Sequence, residues 1–189
     1  MCHALLQDIK FFKLLLHIDH ELAAQTRAVG CPCGGILHQA NYPRKPRGCP
    51  NELRSDYASR FSFSCNRCRK RATSQSVRFL GRRVYLALAV VLVSARLAGP
   101  TPAATRLAKA SGIPMRTVQR WRDWWRDQFP LCAFWQATCA RFMPPLAIGA
   151  LPASLLERFG GATGEPMMRL LVFLTPFTIG PAITLQEAR

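Results

Sequence analysis

The segment from Thr101 to Gln128 restricts the fold of this chain most, because it predicts two helices separated by a tight turn. It reads T-P-A-A-T-R-L-A-K-A-S-G-I-P-M-R-T-V-Q-R-W-R-D-W-W-R-D-Q. Its opening threonine and the proline that follows are typical of a helix start. Gly112 supplies a residue that can adopt positive φ where the first helix ends, and Pro114 begins the second helix. This order of elements is that of a helix-turn-helix.

The apolar residues of the two helices recur at helical spacing. In the second helix, Val118, Trp121 and Trp125 follow one another at intervals of three and four residues. The small apolar face of the first helix consists of Leu107, Ala108 and Ala110. An ordinary helical hairpin with a solvated basic face would show a similar pattern and is the alternative interpretation.

The run L-A-x-x-S-G-I-P-x-R-T-V-x-R-W resembles the helix-turn-helix of bacterial DNA-binding proteins, including many insertion-sequence transposases. The resemblance implies that the second helix lies in the major groove of double-stranded DNA. Val118 and Trp121 would then form its buried side. The side facing DNA would carry Met115, Arg116, Gln119 and Arg120. Arginine and glutamine have side-chain geometries that read guanine and adenine edges.

The distribution of charge favours a polyanionic partner. The formal net charge of the 189 residues is +16. The segment from Arg27 to Arg126 holds 20 Lys and Arg but only three acidic residues, so it carries +17 and the two ends together carry −1. A nucleic acid is the natural partner of such a segment, with anionic lipid as the weaker alternative. Outside the helix-turn-helix, we expect phosphate contacts from Arg44, Lys45, Arg47, Arg69, Lys70 and Arg71.

Two cysteine pairs predict a structural metal site. Cys31 and Cys33 lie in the turn C-P-C-G-G, and Cys65 and Cys68 have C-x-x-C spacing. Strands are predicted beside both turns, over residues 36–42, over 61–64 and in the run that follows the second pair. Four thiolates held by two such turns form the tetrahedral zinc site of a zinc ribbon. A β unit of this size depends on its metal for stability, so Zn²⁺ is the expected structural cofactor.

The first cysteine turn leaves alternatives open. Its C-x-C spacing is one residue shorter than the common C-P-x-C-G-G, so Cys49 or His38 could replace one ligand. Redox-active or merely buried thiols are the alternative to a metal site. The remaining cysteines, Cys2, Cys132 and Cys139, have no partner spacing and are expected to be packing residues.

The segment from C-P-C-G-G to V-R-F-L-G-R-R resembles the zinc ribbons of bacterial mobile-element proteins, notably at C-N-R-C-R-K-R. Together with the helix-turn-helix, this resemblance covers about half of the chain. It implies DNA binding in transposition or a related process and does not imply a catalytic role.

Further helices complete the predicted fold. Residues 3–26 predict one amphipathic helix, whose wide apolar face packs on the rest of the protein or forms a homodimer. Residues 84–97 are apolar but too few to span a bilayer, so they predict a buried helix. Helices are also predicted over 131–142, 152–159 and 166–174. The last two belong to a tail that packs on this protein or on a partner such as a transposase; membrane anchoring is not expected.

The predicted fold class is mainly α with a small β zinc ribbon, and a helix-turn-helix domain follows the ribbon. The predicted boundaries are an N-terminal helix over 1–29, a ribbon with a basic loop over 30–80, a helical domain over 81–142 and a helical tail over 143–189. On the N-terminal helix, His17 and His20 are spaced for a metal but are expected to be surface residues.

The acidic residues do not favour catalysis. A transposase needs three carboxylates that converge on metal ions, and the candidate trio is Asp56, Asp123 and Glu157. Asp123 lies on the predicted recognition helix, and no predicted strand surrounds the other two. We therefore expect a protein that is not an enzyme.

The expected role is that of a DNA-binding accessory or regulatory factor of a mobile element. The alternatives are a chromosomal transcription regulator and a truncated or divergent transposase that needs a catalytic partner. The chain has eight cysteines without the pattern of a secreted disulfide framework and no signal peptide at its start. We expect it in the reducing cytoplasm, in association with the nucleoid.

Overall fold

The structure is a computed structural model that describes residues 2–44, 48–80, 85–95, 109 and 112–179. It is helical, with small antiparallel sheets, which confirms the mainly α class. Within these residues no helix is long and apolar enough to cross a membrane.

Two helices, and not one, begin the chain. Helix α1 spans Cys2–Leu5 and helix α2 spans Ile9–Val29. The carboxylate of Asp8 accepts hydrogen bonds from the backbone N–H groups of Lys10 and Phe11, at 2.9 and 3.1 Å. This N-cap begins a new helix, so the single helix predicted over residues 3–26 is wrong at this point.

Helix α2 ends at Val29, and Gly30 is its C-cap. The φ angle of Gly30 is 75°, in the region where glycine avoids the strain of a side chain. Phe12 and Leu15 are buried on its inner side, whereas Ile9 is partly exposed. His17 and His20 are exposed, as predicted.

Three small antiparallel sheets follow α2. Their strands are β1 (Leu37–Gln39), β2 (Tyr42–Pro43), β3 (Ser59–Arg60), β4 (Ser62–Cys65), β5 (Arg71–Thr73), β6 (Phe79–Leu80) and β7 (Tyr85–Leu86). The three-stranded sheet has the order β1-β4-β5, and β2 pairs with β3 and β6 with β7. In the register, Leu37 lies opposite Cys65 and Ser64 lies opposite Arg71. Strands β1 and β5 lie within segments where the sequence predicts strands, and β4 overlaps the strand predicted over 61–64. Strand β3 was not predicted, and β7 lies in the segment predicted as a helix over 84–97, which is wrong at this point.

One face of the three-stranded sheet packs on α2. Leu37, Phe63 and Cys65 form a small core with Ala23 of α2. Residues alternate between the faces of a strand, so the neighbours of these residues point to the opposite side of the sheet.

The buried helix predicted over 84–97 is present as α3, Ala87–Ala95, and is buried from its first residue through Ser94. It packs against α4, Met115–Asp123. The chain continues from α4 into a π-helical turn, Trp124–Gln128, and a 3-10 turn, Phe129–Leu131. Parts of the predicted helix-turn-helix lie outside the described residues, namely Thr101, Pro102, Leu107, Ala108 and Ala110.

The tail contributes to the main core of the protein. After α5 (Ala133–Thr138), which precedes the tail, the tail itself forms helices α6 (Ala153–Arg158) and α7 (Gly164–Phe173). The sulfur of Cys132 accepts from the N–H of Trp135 and caps α5, so the helix predicted over 131–142 is shorter. Leu155 and Leu170 are fully buried in the same core as Trp121. The apolar sides of α6 and α7 therefore pack on this chain.

A buried ion pair fixes α2 against the segment that leads to β6. Nε of Arg78 lies 2.7 Å from Oδ2 of Asp19, and both side chains are almost fully buried. The same carboxylate accepts from the N–H of Val77 and the hydroxyl of Ser76. A buried carboxylate with this many donors is fully satisfied, which offsets the cost of its desolvation.

Candidate metal centre and nucleic-acid interface

The four predicted cysteine ligands meet at one place. Cys31 and Cys33 lie between α2 and β1, Cys65 ends β4, and Cys68 lies in the turn to β5. Their Sγ atoms all lie within 4.8 Å of one another. The closest pairs are Cys31–Cys33 at 3.4 Å and both Cys31–Cys68 and Cys33–Cys65 at 3.5 Å. A tetrahedron with metal–sulfur bonds of about 2.3 Å has edges of about 3.8 Å, so these sulfurs fit a metal ion.

Backbone donors prepare Cys65 for metal binding. The N–H groups of Cys68 and Arg67 point at its Sγ, at 3.5 and 3.4 Å. They lower the pKa of Cys65 to about 6, with the N–H of Cys68 as the larger cause. The thiolate is the form of cysteine that binds a metal.

The crowding of the four thiols raises the pKa of Cys31, whereas the pKa of Cys65 is lowered. The backbone N–H of Cys33 lowers the pKa of Cys31, but hydrogen bonds with the other three thiols, together with desolvation, raise it to about 12. Neighbouring thiols cannot all ionise at once, because the like charges repel. A divalent cation among the four sulfurs removes this repulsion.

The two cysteine turns can approach each other closely because Gly35 has no side chain. A Cβ atom at Gly35 would lie 2.5 Å from Sγ of Cys65 and 2.8 Å from Cβ of Arg67. Hydrogen bonds also join the turns: the N–H of Ile36 donates to Oδ1 of Asn66 at 2.9 Å. The side chain of Arg67 donates to the carbonyl oxygen of Cys33 at 3.0 Å. The position requires glycine because any side chain would push the turns apart.

The alternative ligands lie elsewhere. Cys49 is buried in the main core, where desolvation raises its pKa to about 11, and His38 is exposed on β1. Within the described ranges, the four cysteines are the only group of three or more His, Cys, Asp or Glu side chains that could hold a metal ion. The trio Asp56, Asp123 and Glu157 therefore forms no such group there.

The cysteines expected to be packing residues differ in burial. Cys132 is buried in the main core, and Cys139 is half-buried beside it. The side chain of Cys2 lies outside the described part of the structure.

Helix α4 has a buried side and an exposed side. Val118 is fully buried and Trp121 is 2% exposed, which confirms the predicted inner side of this helix. The exposed side carries Arg116, Gln119 and Arg120. Met115 is half-buried and packs against the main core, so only part of its side chain reaches the surface.

The polar side chains of α4 differ in their contacts. Nη2 of Arg120 lies 3.4 Å from the hydroxyl of Tyr85 and 3.3 Å from the hydroxyl of Thr117. The amide of Gln119 donates to Asp123 at 2.9 Å. Arg116 forms no ion pair with a described acidic residue. The three predicted base-reading side chains thus share one solvent-facing surface.

A second basic surface lies on the three-stranded sheet and on the turn before β5. Arg69, Lys70 and Arg71 are exposed, and Arg69 has a φ of 60° in the turn after Cys68. Arg44 is half-buried. Lys45 and Arg47, also predicted to hold phosphates, lie outside the described residues.

Tyr42 is a residue of this surface that the sequence analysis missed. The guanidinium of Arg71 lies 4.2 Å from the centroid of its ring, and that of Arg44 lies 5.3 Å from it. The only local signal was an aromatic residue two positions before an arginine, in N-Y-P-R. The contact with Arg71 depends on the pairing of the sheet and has no local signature.

No protein-family model, curated protein or solved structure matches the chain. Its function is therefore inferred from the chemistry and placement of its own residues.

Proposed function

We propose that this protein binds double-stranded DNA, with α4 in the major groove and the ribbon on the neighbouring phosphate backbone. The observation that carries the proposal is that α4 has one buried side and one exposed, basic side. Its inner side is fixed in the core by Val118 and Trp121. Its outer side presents Arg116, Gln119 and Arg120 to solvent. Arginine pairs bidentately with guanine and glutamine with adenine in the major groove.

The contacts of these side chains are compatible with reading bases. The hydrogen bond between Gln119 and Asp123 is exposed, and such a bond contributes only about 1 kcal/mol net. Replacing this hydrogen bond with one to a base edge therefore costs little free energy. The contacts of Arg120 with Tyr85 and Thr117 restrict its rotamers before DNA arrives. A restricted side chain loses less entropy on binding.

The charge distribution supports the same partner. The excess of +17 lies between Arg27 and Arg126, the segment that contains both the ribbon and α4. In the described part of the chain, Arg69, Lys70 and Arg71 are exposed and form no ion pair. When exposed cations of this kind bind DNA phosphates, the counterions condensed on the DNA are released.

We further propose that the four cysteines bind one Zn²⁺ with a structural role, as in a zinc ribbon. A tetrahedral set of four thiolates suits zinc or an iron–sulfur site, and two short turns beside strands are typical of zinc. The metal would join the turn at Cys31 and Cys33 to the turn at Cys65 and Cys68. It would thereby hold the basic surface of the ribbon in place.

The proposed setting is a mobile element, where the protein would act as an accessory or regulatory factor. This rests on the resemblance of L-A-x-x-S-G-I-P-x-R-T-V-x-R-W and of the cysteine segment to mobile-element proteins. A chromosomal regulator or a truncated transposase would bind DNA through the same surfaces. The sequences that the protein selects will separate these settings.

The test is selection of bound duplex fragments from a genomic pool, followed by sequencing. We expect a shared sequence among the recovered fragments, with element ends rather than promoters enriched. A variant with Arg116, Gln119 and Arg120 all replaced by alanine should recover no shared sequence. Recovery of nothing by the wild-type protein, or of the same sequence by the variant, would contradict the proposal.

A further inference from the structure

Asp123 is an acidic residue at the end of α4, on the side that otherwise presents arginine and glutamine. It is one of only three acidic residues between Arg27 and Arg126, a segment with 20 Lys and Arg. It lies four residues after Gln119 and seven after Arg116, so the three side chains share one face of the helix. A carboxylate on this face repels phosphates and so weakens α4 as a contact for the DNA backbone. Its position is explained if the face lies against base edges instead.

Two side chains hold one oxygen of this carboxylate. Oδ1 of Asp123 accepts from the amide of Gln119 at 2.9 Å and from Nη2 of Arg126 at 3.0 Å. The guanidinium of Arg126 also donates to both oxygens of Asp127, each at 2.7 Å. When Gln119 turns to a base, Arg126 therefore still holds Asp123 in place.

The second oxygen of Asp123, Oδ2, is open to a further donor. Among the described residues, no hydrogen bond ends on Oδ2, whereas both oxygens of Asp127 accept from Arg126. The side chain of Asp123 is 39% exposed, so a partner can reach it. An ionised carboxylate only accepts hydrogen bonds. A base that contacts this oxygen must therefore supply a donor.

The major groove presents two kinds of donor, the N6 amino group of adenine and the N4 amino group of cytosine. The adenine amino group lies between two acceptors, its own N7 and O4 of the paired thymine. The cytosine amino group has an acceptor on one side only, O6 of the paired guanine. Because acceptors repel a carboxylate, cytosine suits it better. Along the helix axis Asp123 lies about 6 Å beyond Gln119, less than two base-pair steps of about 3.4 Å, so the two residues would contact neighbouring base pairs.

We propose that Asp123 determines specificity by accepting, through Oδ2, a hydrogen bond from the N4 amino group of a cytosine in the major groove. The inference rests on the proposed function and deepens it by naming a base that the selected DNA contains. The same carboxylate repels the phosphates of DNA that offers no such donor. Asp123 thus favours the correct site and disfavours random DNA, and the two effects act together on specificity.

The test measures binding of the wild type, Asp123→Ala and Asp123→Asn to the selected duplex, to a random duplex, and to selected duplexes with one base pair changed at a time. At one C·G pair, a change to T·A should weaken wild-type binding roughly tenfold, because thymine presents the acceptor O4 in place of the amino group. Asp123→Ala should show no such penalty at that pair. It should bind the random duplex as tightly as the wild type or up to about fivefold more tightly, because one repulsive charge is gone. Asp123→Asn should prefer adenine there, since asparagine pairs bidentately with adenine.

The matched control is Asp127→Ala, which removes the same charge four residues further on. It should retain the penalty at the C·G pair, because both oxygens of Asp127 are already occupied by Arg126. Asp123→Asn keeps nearly the same shape as the wild-type side chain, so the test stays valid if Asp123→Ala lowers the melting temperature.

An unchanged penalty in both Asp123 variants, or its absence from the wild type, would overturn the inference. If either result occurs while Arg116→Ala loses binding to the selected duplex, the inference fails and the proposed function stands. Failure of the wild-type protein to bind any of the duplexes overturns both.

Discussion

At the scale of single residues, Gly35 is the position where one methyl group should disturb the metal site. Its missing side chain makes room for Sγ of Cys65 and Cβ of Arg67. We expect Gly35→Ala to separate the two cysteine turns and to lower zinc affinity by roughly 10–100-fold, as for other changes around a ligand shell. Competition with a chromophoric chelator measures this affinity.

The matched control is Gly149→Ala, because a Cβ atom at Gly149 would meet nothing within 4 Å. This variant and the wild type should each retain about one zinc per chain and resist the chelator equally. Wild-type affinity in Gly35→Ala would show that the four sulfurs do not define the metal site in this arrangement.

The side-chain pairs of this protein could not be predicted from the sequence. Each of the three tyrosines contacts an arginine: Tyr42 with Arg71, Tyr57 with Arg78, and Tyr85 with Arg120. In each pair the partners are far apart in the chain. No local pattern distinguishes these arginines from the others in the chain. Arg78 and Asp19 are the extreme case, because both were counted as ordinary charged residues and both are buried as a pair.

At the scale of elements, the orientation of α4 was predictable because it depends on spacing within ten residues. Val118 and Trp121 face the core as predicted, and the rings of Tyr85 and Trp121 pack nearly perpendicular to one another, 5.0 Å between centroids. We expect Trp121→Ala to lower the free energy of unfolding by about 3–5 kcal/mol, as for other large truncations in a core. Urea denaturation measures the difference.

Gln119→Ala is the control on the exposed side of the same helix. It should change the free energy of unfolding by no more than about 0.5 kcal/mol, since it removes only a surface contact with Asp123. Equal stability of the two variants would mean that α4 does not pack through Trp121, and the face assigned to DNA would then be wrong.

Elements that depend on a cap or on strand pairing were predicted less well. The break before α2 comes from the hydrogen bonds of Asp8, which the apolar periodicity of the surrounding residues conceals. Strands were predicted beside the cysteine turns, but the register in which they pair could not be predicted from the sequence. The π-helical turn Trp124–Gln128 has no signature in apolar spacing.

At the scale of the whole molecule, the sequence identified the segments but not the way they pack together. The main core takes residues from α2, α3, α4 and the tail helices. The tail is also joined to β3 and to the segment before β6. Arg60 donates to the carbonyl oxygen of Thr178 at 2.6 Å, and the N–H of Ser76 donates to the hydroxyl of Thr178 at 3.1 Å. Contacts across more than a hundred residues are invisible to periodicity.

The distribution of charge was the most useful property of the whole chain, because it could be counted before any fold was known. It predicts a polyanionic partner but not where that partner lies. The structure separates two basic surfaces, one on α4 and one on the small sheets around Tyr42. DNA binding through these surfaces is the central claim, and α4 carries the specific part of it.

The most direct test is the affinity of Arg116→Ala for a selected and a random duplex across a salt series. Arg116 is exposed, so its replacement leaves the core of α4 intact. Lys13→Ala, on the exposed side of α2 and outside the central basic segment, is the control. We predict that Arg116→Ala weakens binding to the selected duplex by about 1–3 kcal/mol and changes binding to the random duplex much less. Equal losses on both duplexes, or no loss on either, would contradict the assignment of α4 as the DNA-reading helix.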